Sequence, residues 1–252
     1  MFAEPLAALD DAVTQAADRG RDATPLLLWR FAAFEVRERL RSARRRLGLL
    51  KLRDLTPEAY RLPDSALARS AFELARGVSP PLLLNHAVRT YHFGAILAAR
   101  DGVPLDRELL YVASVLHDLG LTSSHESEPG SFEWVSARLA RAFGMAQGME
   151  PPRVDLLHDA VALHSSVGIA NTREPEVAMV HYGAGADLFG ARLDEIPKLD
   201  MARILDEWPR CGFSTEFPRC LERQVELKPQ SHIAGAMGLG LGDRARAAPF
   251  AE

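Results

Sequence analysis

Cysteine is scarce in this chain. Cys211 and Cys220 are the two present in 252 residues, and their spacing matches neither a zinc-binding module nor a disulfide framework. Long apolar runs are missing too. The longest, Leu26 to Phe34, is broken by Arg30. It is far too short to span a bilayer, which takes about 20 residues. The opening MFAEPLAALDD is acidic and has no signal-peptide layout. Neither sign of charge dominates, and a net charge of −4 gives no general pull toward nucleic acid or membrane. The expectation is a cytoplasmic protein with free thiols.

Strand-like alternation is also rare. Apolar residues recur instead at i, i+3, i+4 and i+7, the helical pattern. Helices are predicted over 25–47, 64–76, 81–100, 106–117, 131–143, 152–165, 174–190, 198–207 and 215–226. Thr24 and Pro25 suit the first helix start, and Asp106 suits another. Gly77-Val78-Ser79-Pro80-Pro81 breaks the pattern. The fold class is therefore all-α. The organisation reads as a helical extension over 1–79, a core domain over 80–230 and a Gly/Ala-rich tail over 231–252. The tail's GAMGLG has no preceding strand, so it is no dinucleotide loop. Arg37 to Arg53 is rich in basic residues but has no interleaved aromatics for base stacking. It reads as a solvated or subunit-facing surface, with no nucleic acid or membrane partner and with room for a homo-oligomer.

The chemistry concentrates in YVASVLHDLGLT, residues 111–122. His117 and Asp118 end an apolar helical run. Imidazole and carboxylate both bind divalent cations. Neighbours on a regular helix point about 100° apart, so both reach one ion only where the helix is ending. Gly120 suits a left-handed helix stop there. Composition alone gives roughly half of one His-Asp dipeptide, and a second pair, His158-Asp159, lies downstream. Partners must decide between them. Asn85, His86 and Arg89 share one side of a helix. Asp187 follows Gly183-Ala184-Gly185-Ala186, residues too small to cover it and suited to close helix packing.

The ordered blocks NHAVRTYHFG, HDLGLT, SFEWVSA, AVALH and GAGADLFG resemble the HD-domain superfamily of metal-dependent hydrolases, in particular its cyanamide hydratase-like branch. The resemblance implies a helical bundle. It implies a divalent transition metal held by His86, His117, Asp118 and Asp187, most simply Zn, with Fe, Mn or Ni as alternatives. It also implies that Asp118 guides the proton of the attacking water, and that His164 binds substrate or transfers a proton to the developing nitrogen anion. The substrate would be a small molecule of cyanamide or nitrile type.

Other residues keep two readings. Asn85 and Arg89 could contact substrate, and Arg89 could instead lock Asp118 or Asp187 in a bidentate pair. Thr122 could orient substrate or close the helix end. Glu133 could bind substrate or favour a helix dipole. His181 and His232 read as structural. HD-domain nucleotidases often carry Glu three residues after the metal Asp, where this chain has Leu121. That weakens the alternative of a phosphohydrolase of phosphorylated metabolites. A non-catalytic helical binding module is the other alternative, and the complete ligand set argues against it.

Overall fold

The helical periodicity of the sequence is realised throughout. The computed structural model describes residues 24–250, and within them eleven α-helices are joined by loops and short 3-10 turns, with no strand. In chain order these are α1 (Thr24–Arg46), α2 (Ala66–Val78), α3 (Pro81–Asp101), α4 (Arg107–Leu116), α5 (Phe132–Ala146) and α6 (Pro151–Ala162). They continue with α7 (Pro175–Phe189), α8 (Lys198–Glu207), α9 (Phe213–Leu227), α10 (His232–Gly238) and α11 (Leu241–Arg246). Residues 1–23 of the expected N-terminal extension lie outside the described residues. No described helix is long and apolar enough to cross a membrane.

Local chemistry sets the boundaries. The Asp106 carboxylate accepts from the Leu109 N–H at 3.0 Å, and the Ser65 hydroxyl caps α2 by accepting from Ala68. Proline opens α3, α6 and α7 within the first turn, where its missing N–H costs nothing.

Helices α3 and α7 form the central pair, with α4 and α6 packed around them. Two glycines allow the close approach. A Cβ on Gly183 would stand 2.1 Å from the Thr90 carbonyl oxygen, and one on Gly94 would stand 2.5 Å from that of Met179. The small residues before Asp187 thus do what their sizes suggest. They bring Asp187 of α7 against His86 and Arg89 of α3. Around this seam Val88, Tyr91, Ile96, Leu116, Leu157 and Val180 are fully or nearly fully buried. Each large apolar side chain removed from water contributes roughly 1.5–3 kcal/mol.

Both ends of the described chain fold back onto this core. Phe34 of α1 is buried against the His181 and Tyr182 rings, at 5.8 and 6.4 Å. Arg41 bonds Glu195 at 2.6 Å and also pairs with Asp101, and Arg45 bonds Asp194 at 2.8 Å. Part of the basic run is therefore spent inward on acids. The expected C-terminal tail differs more. Residues 232–246 form α10 and α11, with Ile233, Ala236 and Ala245 buried, and α9 is their main support. GAMGLG lies in α10 and the turn after it.

His92, on α3, is a core residue. Its Nδ1 donates to the Tyr60 carbonyl at 3.0 Å, and it is 5% exposed. Burial pushes its pKa down to about 4, against the opposing effect of that hydrogen bond. Between about pH 6.5 and 4 the unfolded chain takes up a proton that the folded chain refuses, so stability falls as pH falls. The loss reaches roughly 3 kcal/mol at this one site. Chemical unfolding of wild type and His92→Asn across this range should show their difference in stability narrowing toward pH 4. A difference that widens or stays flat contradicts the assignment.

Candidate metal centre

Helix α4 ends at Leu116, and His117 and Asp118 occupy the exit. The backbone leaves α-geometry there, with Asp118 at φ −112° and ψ 15°. Two adjacent side chains can consequently meet at one point. Gly120 helps by a different route from the one expected. It is not left-handed; it lies in a 3-10 turn, and a Cβ there would stand 2.3 Å from the Phe132 carbonyl oxygen. Its N–H donates to Ser136 Oγ at 2.8 Å, which ties the His-Asp turn to α5.

Four buried groups converge at this turn. His117 Nε2 and His86 Nε2 lie 3.2 and 3.5 Å from Asp118 Oδ2, and His164 Nε2 lies 3.6 Å from Asp118 Oδ1. The ligand atoms of His86, His117 and Asp118 all fall within 4.8 Å of one another. His164 stands at the edge of this group. Its Nδ1 faces the Val161 carbonyl at 2.7 Å, and His117 Nδ1 faces the Ser114 carbonyl at 2.6 Å. A carbonyl can only accept, so both Nδ1 atoms donate and both Nε2 atoms present lone pairs to the cluster. His86 Nδ1 likewise donates to Asp187 Oδ2 at 2.7 Å.

The donor set passes a direct test of fit to a cation. His117 Nε2, Asp118 Oδ1 and Asp118 Oδ2 are buried and have no hydrogen-bond partner in the protein. Leaving such atoms unmatched costs about 1–3 kcal/mol each, and a divalent cation would satisfy all three. Electrostatics agrees. Burial works against the Asp118 carboxylate, but His117 beside it outweighs that and holds its pKa well below the usual range. Burial also pushes the His117 pKa down, and the Asp118 charge more than restores it. Surroundings that favour a proton between these groups favour a metal in its place. The His164 pKa is lowered to about 3 by burial and then by His117. A neutral ring with its proton on Nδ1 presents its Nε2 lone pair to the cluster.

Asp187 departs from the ligand role that the resemblance implies. Both of its oxygens are already engaged. Arg89 binds it in a fork, Nε to Oδ1 at 2.9 Å and Nη2 to Oδ2 at 2.8 Å. Arg210 Nη1 adds a bond to Oδ1 at 2.7 Å, and His86 takes Oδ2. Burial would raise the Asp187 pKa, but Arg89 and His86 hold it well down. The residue orients His86 from behind, as a carboxylate behind a metal-binding imidazole does.

The remaining candidates divide. Arg89 is fully buried and also donates to the Trp208 and Pro209 carbonyls at 3.0 Å each, so it does not face substrate. Asn85 donates to the Pro209 carbonyl at 2.8 Å and fixes the same loop. The Thr122 hydroxyl donates to the Leu119 carbonyl at 2.7 Å, closing the turn. Glu133 is buried and accepts from Ser165 Oγ at 2.7 Å, one side chain removed from the cavity. Leu121 packs in an apolar cluster with Phe132 and Phe217, and Glu128 is taken by His125 and Arg138. His158 packs on Trp134 and pairs with Asp159, away from the cluster. Sequence reasoning missed Arg210 and Phe213. Phe213 stacks on His86 at 4.6 Å, with the Arg89 and Arg210 guanidinium groups over its ring at 5.3 and 4.9 Å. Neither residue lies in a recognisable motif.

His86, His117, Asp118 and His164 face a cavity of about 70 Å³. Its other walls are apolar, with Phe132, Val167, Leu188, Phe217 and Leu221 prominent. His181, read as structural, also lines it, and its Nδ1 donates to the His164 carbonyl at 2.7 Å.

A helical bundle that gathers two or three imidazoles and a carboxylate at a helix exit, beside a small cavity, defines a metal-dependent hydrolase class of site. A family model described as HD domain matches residues 83–208, half of the chain. The chain belongs to the HD domain family. Within it, the chain is similar to the cyanamide hydratase-like branch. The cyanamide hydratases DDI2 and DDI3 of Saccharomyces cerevisiae are each 25% identical to it over 177 residues, covering 68% of this chain and 78% of theirs. Ribonuclease Y of Acidothermus cellulolyticus is 34% identical over 85 residues, covering 34% of this chain and 15% of its own. That last likeness is a shared domain within a much larger protein.

Two sets of variants separate ligation from support. Elemental analysis of protein purified without added metal should show occupancy lost in His86→Ala and His117→Ala and retained in His158→Ala. Equal occupancy in the first two and wild type sinks the ligand assignment. Asp187→Asn should instead destabilise chelator-treated protein by about 3–5 kcal/mol, because it strands two buried arginines. Unchanged denaturant stability of the metal-free variant would return Asp187 to the list of simple ligands.

Proposed function

We propose that this protein is a metal-dependent hydratase that adds water across the carbon–nitrogen triple bond of a small neutral molecule. One observation carries the reading: buried imidazole and carboxylate atoms suited to a cation open onto a cavity where, among the described residues, the one lining arginine is already paired and the arginines behind the site are too. Arg89 and Arg210 are committed to Asp187, and Arg244 at the cavity wall bonds Glu35 at 2.7 Å. A phosphate ester would require cations directed at its oxygens. A compact neutral substrate does not.

His86, His117 and Asp118 would hold the metal, with His164 completing the ring of donors. When bound, a divalent cation lowers the pKa of water and polarises the substrate. The chain supplies the rest. Asp118 Oδ2 faces His86 and His117 and Oδ1 faces His164, and neither oxygen has a hydrogen-bond partner. Asp118, while holding the metal, would also guide a proton of the attacking water toward the nitrogen. Phe132, Phe217 and Leu221 exclude bulk water, which strengthens each of these electrostatic interactions. The similarity to the yeast cyanamide hydratases supports this choice of head group.

The test is steady-state urea formation from cyanamide beside phosphate release from nucleoside monophosphates, each with several divalent metals. Hydration that disappears in Asp118→Asn, with the fold retained by circular dichroism, is expected. Phosphate release without hydration under any metal would replace this reading with a phosphohydrolase.

A further inference from the structure

Much of the cavity wall comes from outside the stretch that matches the HD family model. Phe31 and Phe34 reach it from α1, Ile233 and Ala236 from α10, and Leu241 from α11. These segments meet across it, and the Arg244–Glu35 bond at 2.7 Å joins α11 to α1. Among the described residues, the lining side chains that these segments contribute are apolar except Arg244, and Arg244 is taken by Glu35. An amino group turned toward Phe34, Ile233, Ala236 and Leu241, as in unsubstituted cyanamide, would meet no hydrogen-bond partner there, and burying a polar group unmatched is costly.

We infer that this pocket, bounded by Phe34, Ile233, Ala236 and Leu241, selects a neutral nitrile with a short aliphatic substituent in preference to cyanamide. The inference rests on the hydratase reading only for the chemistry of the head group. The substituent class comes from the wall. Size follows from the volume. The free space of about 70 Å³ is less than half of the ~150 Å³ apolar cavity that accommodates benzene. It suits a substituent on the order of one or two heavy atoms beside the nitrile group. The nitrile carbon gains a bond to the water oxygen as one carbon–nitrogen π bond breaks and a proton moves to nitrogen; the second carbon–nitrogen π bond then breaks as carbon–oxygen becomes double and the remaining water proton moves to nitrogen, giving the primary amide. No oxidant or second substrate is required.

The experiment uses the full chain and two readouts. Ligand-observed NMR gives the Kd of acetonitrile, propionitrile, butyronitrile and cyanamide, and amide or urea formation gives kcat/KM for each. Affinity should rise about fourfold per methylene, the equivalent of about 0.8 kcal/mol for each buried CH₂, and fall once the pocket is full. Ala236→Leu reduces the space and should lower the ratio of propionitrile to cyanamide binding at least tenfold. Phe34→Ala enlarges it and should move the optimum to a longer chain. Circular dichroism verifies that each variant is folded. Affinity that ignores chain length, or cyanamide binding tighter than every alkyl nitrile, overturns the inference. Chain-length-dependent binding that both variants shift, without amide formation, would leave the pocket standing and defeat the hydratase reading. Urea formation with no binding of alkyl nitriles would do the reverse.

Discussion

The buried contact of Asp187 with Arg89 and Arg210 is the constraint on which the site depends. One carboxylate faces two guanidinium groups and an imidazole, all withdrawn from water. Such a group is costly to bury and costly to break, since removing one partner strands the others. Its consequences spread outward. Arg89 reaches the Trp208 and Pro209 carbonyls and holds the loop before α9. That loop delivers Phe213, which stacks on His86. His86 is therefore fixed from behind by Asp187 and on one face by Phe213, with its Nε2 aimed at Asp118.

The close seam between α3 and α7 makes this possible. Gly94 and Gly183 let the two helices approach until a Cβ would collide with carbonyl oxygens. His86 and Arg89 on one helix can then share a carboxylate on the other. The His-Asp turn arrives from α4, whose helical geometry stops just before His117. Position, orientation and electrostatics at the centre thus trace to two packed helices and one helix end. The cavity above them is closed in part by α1, α10 and α11.

The helices were legible because their apolar residues recur with strong period over many turns. The predicted spans of α3, α7 and α8 agree with the structure to within about two residues, the usual uncertainty of helix ends. His117 and Asp118 were legible for a related reason, since only a helix end lets neighbours converge. Asp187 was visible as a site residue, and its bidentate pairing with Arg89 was one of two readings left open. Whether it ligates a cation or anchors arginines depends on Arg210, a loop residue without periodic context. The C-terminal helices were missed because α10 and α11 are too short to show a period, and their Gly and Ala residues carry little hydrophobic signal. Ile233 and Leu241 line the cavity nonetheless. His164 was found through its motif, while the direction of its lone pair became clear only from the Val161 carbonyl behind it.

The central claim is a divalent cation held in front of a carboxylate that stays with its arginines. The most direct measurement is an anomalous-scattering map from a crystal of metal-loaded protein. The account predicts one peak within bonding distance of His86 Nε2, His117 Nε2 and the Asp118 carboxylate, with Asp187 still paired to Arg89 and Arg210. A peak bonded to Asp187 with those pairs broken, or no peak at His117 and Asp118, would contradict it.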